Sequence, residues 1–355
     1  MLPFKPLQIG PVAIGFPVVQ AALSGYSDWA MRMIARRLGA PYTLCEVVLD
    51  RIVIQAGKKT RLKRLRVTAD EQPVGGQLMG SDPVEFGRAA RELALVGFRV
   101  IDINFGCPVK KVLGRCRGGY HLSRPDVALE IVSRVREAVP SEIPVTVKMR
   151  RGIDDTAESR DKFFEIFDGA FARGIAAATV HGRTVEQRYV GPSRWSFLSE
   201  VKRHAGDRII LGSGDLFTAA DCLNMLRETG VDGVTAARGA IGNPWIFRQA
   251  QALAAGEPLP APPSLFEQRA VIEEHYRLAE QIYGLEPCCR QMRKFGIKYS
   301  QLHPEPLALR EAFISVRQPG EWQQVLDRWY AEDLPGRHPS VAEQADTVET
   351  DCGVS

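Results

Sequence analysis

The strongest constraint on this chain is an alternation. From Phe16 to about Ile246, short runs rich in β-branched or apolar residues take turns with amphipathic helical patterns. The expected strands are Pro17 to Ala21, Tyr42 to Val47, Pro73 to Leu78, Val100 to Asn104, Val145 to Lys148, Ala177 to His181, Ile209 to Gly212 and Gly233 to Ala236. That is the pattern of an α/β fold, a (β/α)8 TIM barrel. Asp28 is placed to cap a helix through Leu38, and Asp82 with Pro83 to open one through Val96. A doubly wound open sheet would carry a glycine fingerprint after its first strand, and none is present.

The pattern changes after Trp245. AAGEPLPAPPS carries prolines 258, 260, 262 and 263 and reads as a semi-rigid linker. From Leu265 to Tyr330 the spacing is helical throughout, interrupted at Pro304 and Pro306. The expected organisation is a barrel over 1–255, a linker over 256–264, an all-α domain over 265–334 and a polar, acidic, disordered tail over 335–355. The seven cysteines (Cys45, Cys107, Cys116, Cys222, Cys288, Cys289, Cys352) are scattered, which points to free thiols in a reducing compartment. No apolar run approaches the ~20 residues of a membrane helix, and MLPFKPLQIG is no signal peptide, so a cytoplasmic location is expected. A net charge of +4 permits an anionic partner without demanding one.

In a barrel the active site lies at the C-terminal ends of the strands. Those ends carry Ala22, Ser24 and Gly25; Gln77; Asn104 and Cys107; Lys148 and Arg150; His181; Ser213, Gly214 and Asp215; and Ala237 and Arg238. A ring of small and polar groups of this kind is the mark of a site rather than of turns alone. GSGD and ARGAIGNP bring backbone N–H groups and Arg238 together where barrels commonly bind phosphate, so a phosphate-bearing cofactor fits. Lys148 facing the mouth calls for an anionic or electron-rich partner, such as a reduced flavin, or else for an ion pair with a barrel carboxylate. Cys107, in INFGCPVKKV, stands on a tight loop where a thiol of pKa ~8.5 can act as a general acid. Cys116 on the same loop is its rival. The CPVKKVLGRC spacing suits no zinc knuckle, and no metal is expected.

AALSGYSDWAMR, GGQLMGSDP, IDINFGCPVKKV, VTVKMRRG, TVHGRTVEQRYVGP, GSGDL and ARGAIGNPWIF follow one another in an order that resembles the tRNA-dihydrouridine synthases, the bacterial B-type branch most of all. The likeness runs from about Phe16 to Ile246 and continues through RQMRKFGIKY. It implies an enzyme that uses FMN and NADPH to reduce the C5=C6 bond of particular uridines in tRNA, with hydride passing from flavin N5 to C6 and a cysteine protonating C5. Carried over by position, Ala22, Leu23 and Ser24 would meet the flavin ring, and Gln77 and Lys148 its polar edge. Ser213, Gly214, Asp215, Ala237 and Arg238 would hold the phosphate, with His181 nearby. Cys107 matches the proton donor. Three segments depart from the family pattern: AALS replaces APMA, GGYHL replaces GAALL or GSALL, and Phe295 replaces a histidine after Arg293 and Lys294.

A uridine within folded tRNA must be drawn out to reach a buried flavin, which requires a surface that grips the backbone. GKKTRLKRLR, Gly57 to Arg66, is one basic run, readable either as a phosphate grip or as a solvated face. Arg290, Arg293 and Lys294, at helical spacing, are the better grip, with Asn104, Arg150 and Arg183 as RNA contacts nearer the mouth. No protein partner is implied, and a monomer is expected. Two other readings stay open: a flavin-dependent reductase of a free pyrimidine or small enone, and an FMN- and RNA-binding protein without turnover.

Overall fold

The β-branched runs of the first two thirds of the chain pair side by side until the last meets the first. In the computed structural model, which describes residues 4–57, 60 and 64–340, the strands are β1 (Leu7–Ile9), β2 (Val12–Gly15), β3 (Val18–Gln20), β4 (Thr43–Leu44), β5 (Val48–Leu49), β6 (Val74–Met79), β7 (Val100–Phe105), β8 (Val145–Arg150), β9 (Ala177–His181), β10 (Ile209–Ser213) and β11 (Gly233–Ala236). The parallel order β4-β3-β11-β10-β9-β8-β7-β6-β5, with β4 also paired to β6, closes a barrel of eight strand positions. Helices on its outside bury the alternate residues: Ile101, Ile103 and Phe105 of β7, and Val145, Val147 and Met149 of β8, face the helix layer. Asp28 accepts from Met31 N–H, and Asp82 from the N–H groups of Val84 and Glu85, so both expected caps form.

Two features differ from the sequence reading. The second barrel position is not one strand over Tyr42 to Val47 but two fragments, because Glu46 turns away: its N–H donates to Ser27 O at 3.1 Å and its carboxylate accepts from Gly25 N–H at 2.9 Å. The β1–β2 hairpin, turned at Gly10 (φ 55°), was not expected either. Its Leu7, Ile9 and Ile14 pack with Val19, Tyr42, Val100, Ala177 and Leu211, closing the bottom of the barrel with apolar side chains. Burial of such residues stabilises by roughly 1.5–3 kcal/mol each.

After the helix Ile246–Ala254 the chain runs without helix to Ser264, then forms the helices Leu265–Tyr283, Leu285–Tyr299, Pro306–Ser315 and Pro319–Trp329. Their core includes Met292, Phe295, Phe313, Trp322 and Leu326, and it extends onto the barrel through Trp29, Met31, Met33 and Ile34 of the helix Trp29–Arg37. Arg37 and Glu274 form an ion pair across the same junction. Of the tail expected to be disordered, residues 335–340 lie against this domain: Arg337 N–H donates to Leu302 O at 2.8 Å. Residues 341–355 are outside the described part. Among the described residues no helix is long and apolar enough to cross a membrane.

Candidate active site

Strand alternation points Gln77, Asp102 and Thr146 into the barrel, and the register places them side by side on β6, β7 and β8. They form one buried network. Gln77 Nε2 donates to Asp102 Oδ2 at 2.7 Å, and Thr146 Oγ1 donates to Asp102 Oδ1 at 2.5 Å. One layer higher, Asn104 Nδ2 donates to Gln77 Oε1 at 2.8 Å, while Asn104 Oδ1 accepts from the N–H groups of Gly106 and Cys107 at 2.9 and 3.1 Å. Asn104 thus shapes the loop that presents Cys107. Cys107 O accepts from Gly119 N–H, and Gly118 lies so close that an added Cβ would stand 2.8 Å from Cys107 Cβ. Cys107 is half-buried, Cys116 is exposed, and neither is in a disulfide.

Above this network lies a concentration of positive charge. Lys148 is in register with Asn104, and Arg150 with His181. The Lys148 ammonium is pushed down to about 8, first by burial and then by Arg150. Among the described residues no carboxylate comes within ion-pair distance of Lys148; Asp102, whose oxygens accept from Gln77 and Thr146, acts on it through space and opposes part of that lowering. His181 is held well below the usual imidazole range by burial and by Arg150, Lys148, Arg183 and Arg238, so it is neutral near pH 7. Asp215 is the local counter-charge. Its oxygens accept from Arg183 at 2.7 and 2.8 Å, from Arg238 at 3.2 Å and from Ser193 N–H at 2.7 Å. Mutual lowering of the cations marks a site short of negative charge.

The cradle beside those cations is narrow. Gly214 has φ 116°, and a Cβ there would lie 2.3 Å from Ser193 Oγ and 2.6 Å from His181 Cδ2. Ser193 Oγ is itself buried without a partner. Ser213, Ala237 and Arg238 complete the rim at the ends of β10 and β11. A bare backbone, an unpaired hydroxyl and Arg238 suit an anion such as a cofactor phosphate. The residues present therefore fit the phosphate of a phosphate-bearing cofactor.

Two residues expected at RNA are spent on holding loops. Arg150, 2% exposed, donates to the carbonyl oxygens of Gly106, Thr184 and Arg188, and Arg183, 3% exposed, pairs with Asp215 and Gly191 O. In the helical domain Arg290 is exposed and Arg293 half-buried, on the face of the Leu285–Tyr299 helix that turns from its core. Lys294 instead reaches the barrel, donating to Gly25 O next to the Ala22–Ser24 turn. That turn is set locally by Ser27, whose Oγ accepts from Leu23 N–H at 2.6 Å. Phe295 packs edge-on to Tyr26 with ring centres 5.4 Å apart. Of the basic run Gly57 to Arg66, residues 58, 59 and 61–63 lie outside the described part; Arg66 covers the Trp29 ring at 3.6 Å.

Sequence reasoning missed Asp102, Thr146 and Ser193. The signal for Asp102 was present as a lone acid inside the apolar run VIDINF, which needs a buried partner. Among the described residues no group of three or more His, Cys, Asp or Glu side chains could hold a metal ion.

The dihydrouridine synthase family profile matches residues 19–334. A probable tRNA-dihydrouridine synthase of Mycobacterium tuberculosis is 36% identical over 335 residues, covering 92% of this chain and 85% of the relative. A tRNA-dihydrouridine synthase B of Xanthomonas campestris is 33% identical over 329 residues, covering 92% and 96%. Among solved structures, morphinone reductase in complex with tetrahydroNAD superposes with a TM-score of 0.51 at 14% identity, over 73% of this chain and 92% of that one. A 2-naphthoyl-CoA reductase gives 0.56 at 13% identity over 72% of this chain, which spans about half its length, 52%. These structural likenesses concern the barrel fold.

Proposed function

Because the chain belongs to the dihydrouridine synthase family, we propose that it reduces the C5=C6 bond of particular uridines in tRNA to 5,6-dihydrouridine, with FMN as resident cofactor and NADPH as electron donor. The observation that carries this reading is the pairing, across one barrel mouth, of an anion-seeking cradle with a loop-mounted thiol. When bound, FMN supplies a hydride to C6 of the uracil. Arg238, Ser193 Oγ and the backbone at Ser213–Asp215 and Ala237 hold its phosphate. The Ala22, Leu23 and Ser24 backbone would meet the ring, and Gln77 and Lys148 its polar edge, where the cation would favour negative charge. Cys107 gives its thiol proton to C5, and the resulting thiolate regains a proton from solvent. His181, being neutral, can offer a hydrogen bond without adding charge.

Asn104 carries the Cys107 loop and borders the uracil, while Arg150 and Arg183 fasten the loops that form its walls. Arg290 and Arg293 grip the RNA backbone, so recognition is largely of shape through phosphates and 2′-hydroxyls. Such an enzyme works where tRNA is, in the cytoplasm, and as a monomer.

The test is an incubation of the purified chain, NADPH and unmodified tRNA transcript, with mass mapping of the RNA and an absorbance spectrum of the protein. The expected result is a yellow protein that adds two hydrogens at defined uridines. A colourless protein, or a yellow one that reduces free uracil and leaves tRNA unchanged, would overturn the proposal.

A further inference from the structure

The Gln77–Asn104 pair poses a question of polarity. Each amide has a donor end and an acceptor end of nearly equal size, and only neighbours of fixed character decide which way it faces. The upper end of this relay is of fixed character, and the lower end is an acceptor while Asp102 is ionised, a state that burial opposes and that the Thr146 and Gln77 hydrogen bonds and the Lys148 charge favour. At the upper end the backbone N–H groups of Gly106 and Cys107 can only donate, so Asn104 must present Oδ1 to them and Nδ2 to Gln77. Gln77 then presents Oε1 to Asn104 and sends Nε2 downward, where it meets the carboxylate of Asp102. Asp102, 2% exposed, holds its own place through Thr146 Oγ1. Starting from the carboxylate, the same directions follow. Asp102 lies in the layer below Asn104 and Lys148, two residues before Asn104 on β7, so it reaches the Cys107 loop through the amides while its charge acts on Lys148 through space.

Resting on the function proposed above, we propose that Asp102 is a positioning residue that sets the direction of the Gln77–Asn104 relay and so fixes both the Cys107 loop and the amide edge offered to the flavin. With Asp102 in place, one hydrogen of Gln77 Nε2 goes to the carboxylate and Oε1 to Asn104, so the hydrogen the amide keeps uncommitted is a donor. Without an acceptor at 102 the Gln77 amide is free to turn, Asn104 follows, and the two loop N–H groups lose their anchor.

The experiment uses the full chain as purified and compares Asp102→Leu, Asp102→Ala and Asp102→Asn by peptide-resolved hydrogen exchange at Gly106 and Cys107 and by the rate of Cys107 alkylation. Neither measurement needs cofactor or RNA, so this result stands apart from the fate of the functional reading. An asparagine at 102 can turn Nδ2 to the Thr146 hydroxyl and Oδ1 to Gln77, preserving the relay, whereas leucine and alanine cannot. The expected result is protected loop amides in the unmodified chain, exchange and alkylation about tenfold faster in the leucine and alanine variants, and a change below about threefold in the asparagine variant, as loss of one buried acceptor implies. In the holoenzyme, kcat on tRNA should fall in the first two with KM unchanged. Unprotected amides in the unmodified chain would overturn the proposal without any variant. Equal effects of asparagine and leucine would also overturn it, because the charge of Asp102 rather than its acceptor geometry would then be at work.

Discussion

The barrel mouth and the helical domain handle charge in opposite ways. The barrel buries Asp28, Arg32, Asp50, Glu71, Asp102, Arg150, Arg151 and Arg183, whereas the buried polar residues of the helical domain are Gln268, His275, Ser300 and His303, none with a permanent charge. In the mouth, burial first and neighbouring cations second lower the pKa of Lys148, His181 and Arg238. On the Leu285–Tyr299 helix, Arg290 and Arg293 sit toward solvent over an apolar core. Strand ends gather groups around one point, and helix faces spread them over a surface. Substitutions in the mouth should therefore act sharply on cofactor and chemistry, and those on the helix weakly and with salt dependence.

The largest expected effect is at the thiol. Cys107→Ala should lower dihydrouridine formation by about 10²- to 10⁴-fold, the usual scale of a general acid, while stopped-flow reduction of the flavin by NADPH persists. Arg238→Ala comes next. Loss of a charge-assisted contact of about 1.5–3 kcal/mol should weaken FMN retention roughly ten- to hundredfold, measured by flavin content after ultrafiltration. Unchanged content would remove the contrast at its root.

The third test uses pH. Lys148 in the cofactor-free chain loses its proton at about 8, so the form that attracts an anion is fully present below that value and is depleted above it. FMN affinity should then fall by up to about tenfold between pH 7 and 9, a step that Lys148→Met abolishes in titrations of fluorescence quenching. The smallest effect belongs to the helix. Arg293→Glu should weaken tRNA binding only severalfold, lower the salt slope by about one or two, and leave NADPH oxidation intact. A loss as large as that of Arg238→Ala would mean the two regions do not differ as described.

Much of this architecture was legible because two periodicities suffice for it. Short β-branched runs between helical patterns marked the strands, and the barrel rule drew attention to their C-terminal halves: Lys148 and His181 lie in the second halves of β8 and β9, Arg238 two residues past β11, and Gln77 within β6 beside Asp102. What escaped depends on partners distant in sequence. The burial of Arg150 and Arg183 arises from carbonyls in the 182–191 loop and from Asp215, which no local pattern reveals. Lys294 shares a helical face with Arg290 and Arg293, yet it is drawn to Gly25 O because the Ala22–Ser24 turn lies against that helix. The β1–β2 hairpin was written in LQIGPVAIG as two short apolar runs around Gly10 and Pro11, and it went unread because its role is to plug a barrel assembled from residues far downstream.

The helix Trp29–Arg37 belongs to two cores at once: Ala35 packs in the barrel, and Trp29, Met31, Met33 and Ile34 in the helical domain. Tyr283 Oη, donating to Asp28 Oδ2 at 2.9 Å, ties its first turn to the same domain. The proline-rich linker therefore marks a bend in the chain and not a seam along which the molecule comes apart. A barrel severed there would bare an apolar strip, and the two halves should melt together. For inheritance and for engineering alike, the helical domain is not a cassette. Exchanging it between relatives would mean moving an early helix along with the late ones, because the two stretches share one core.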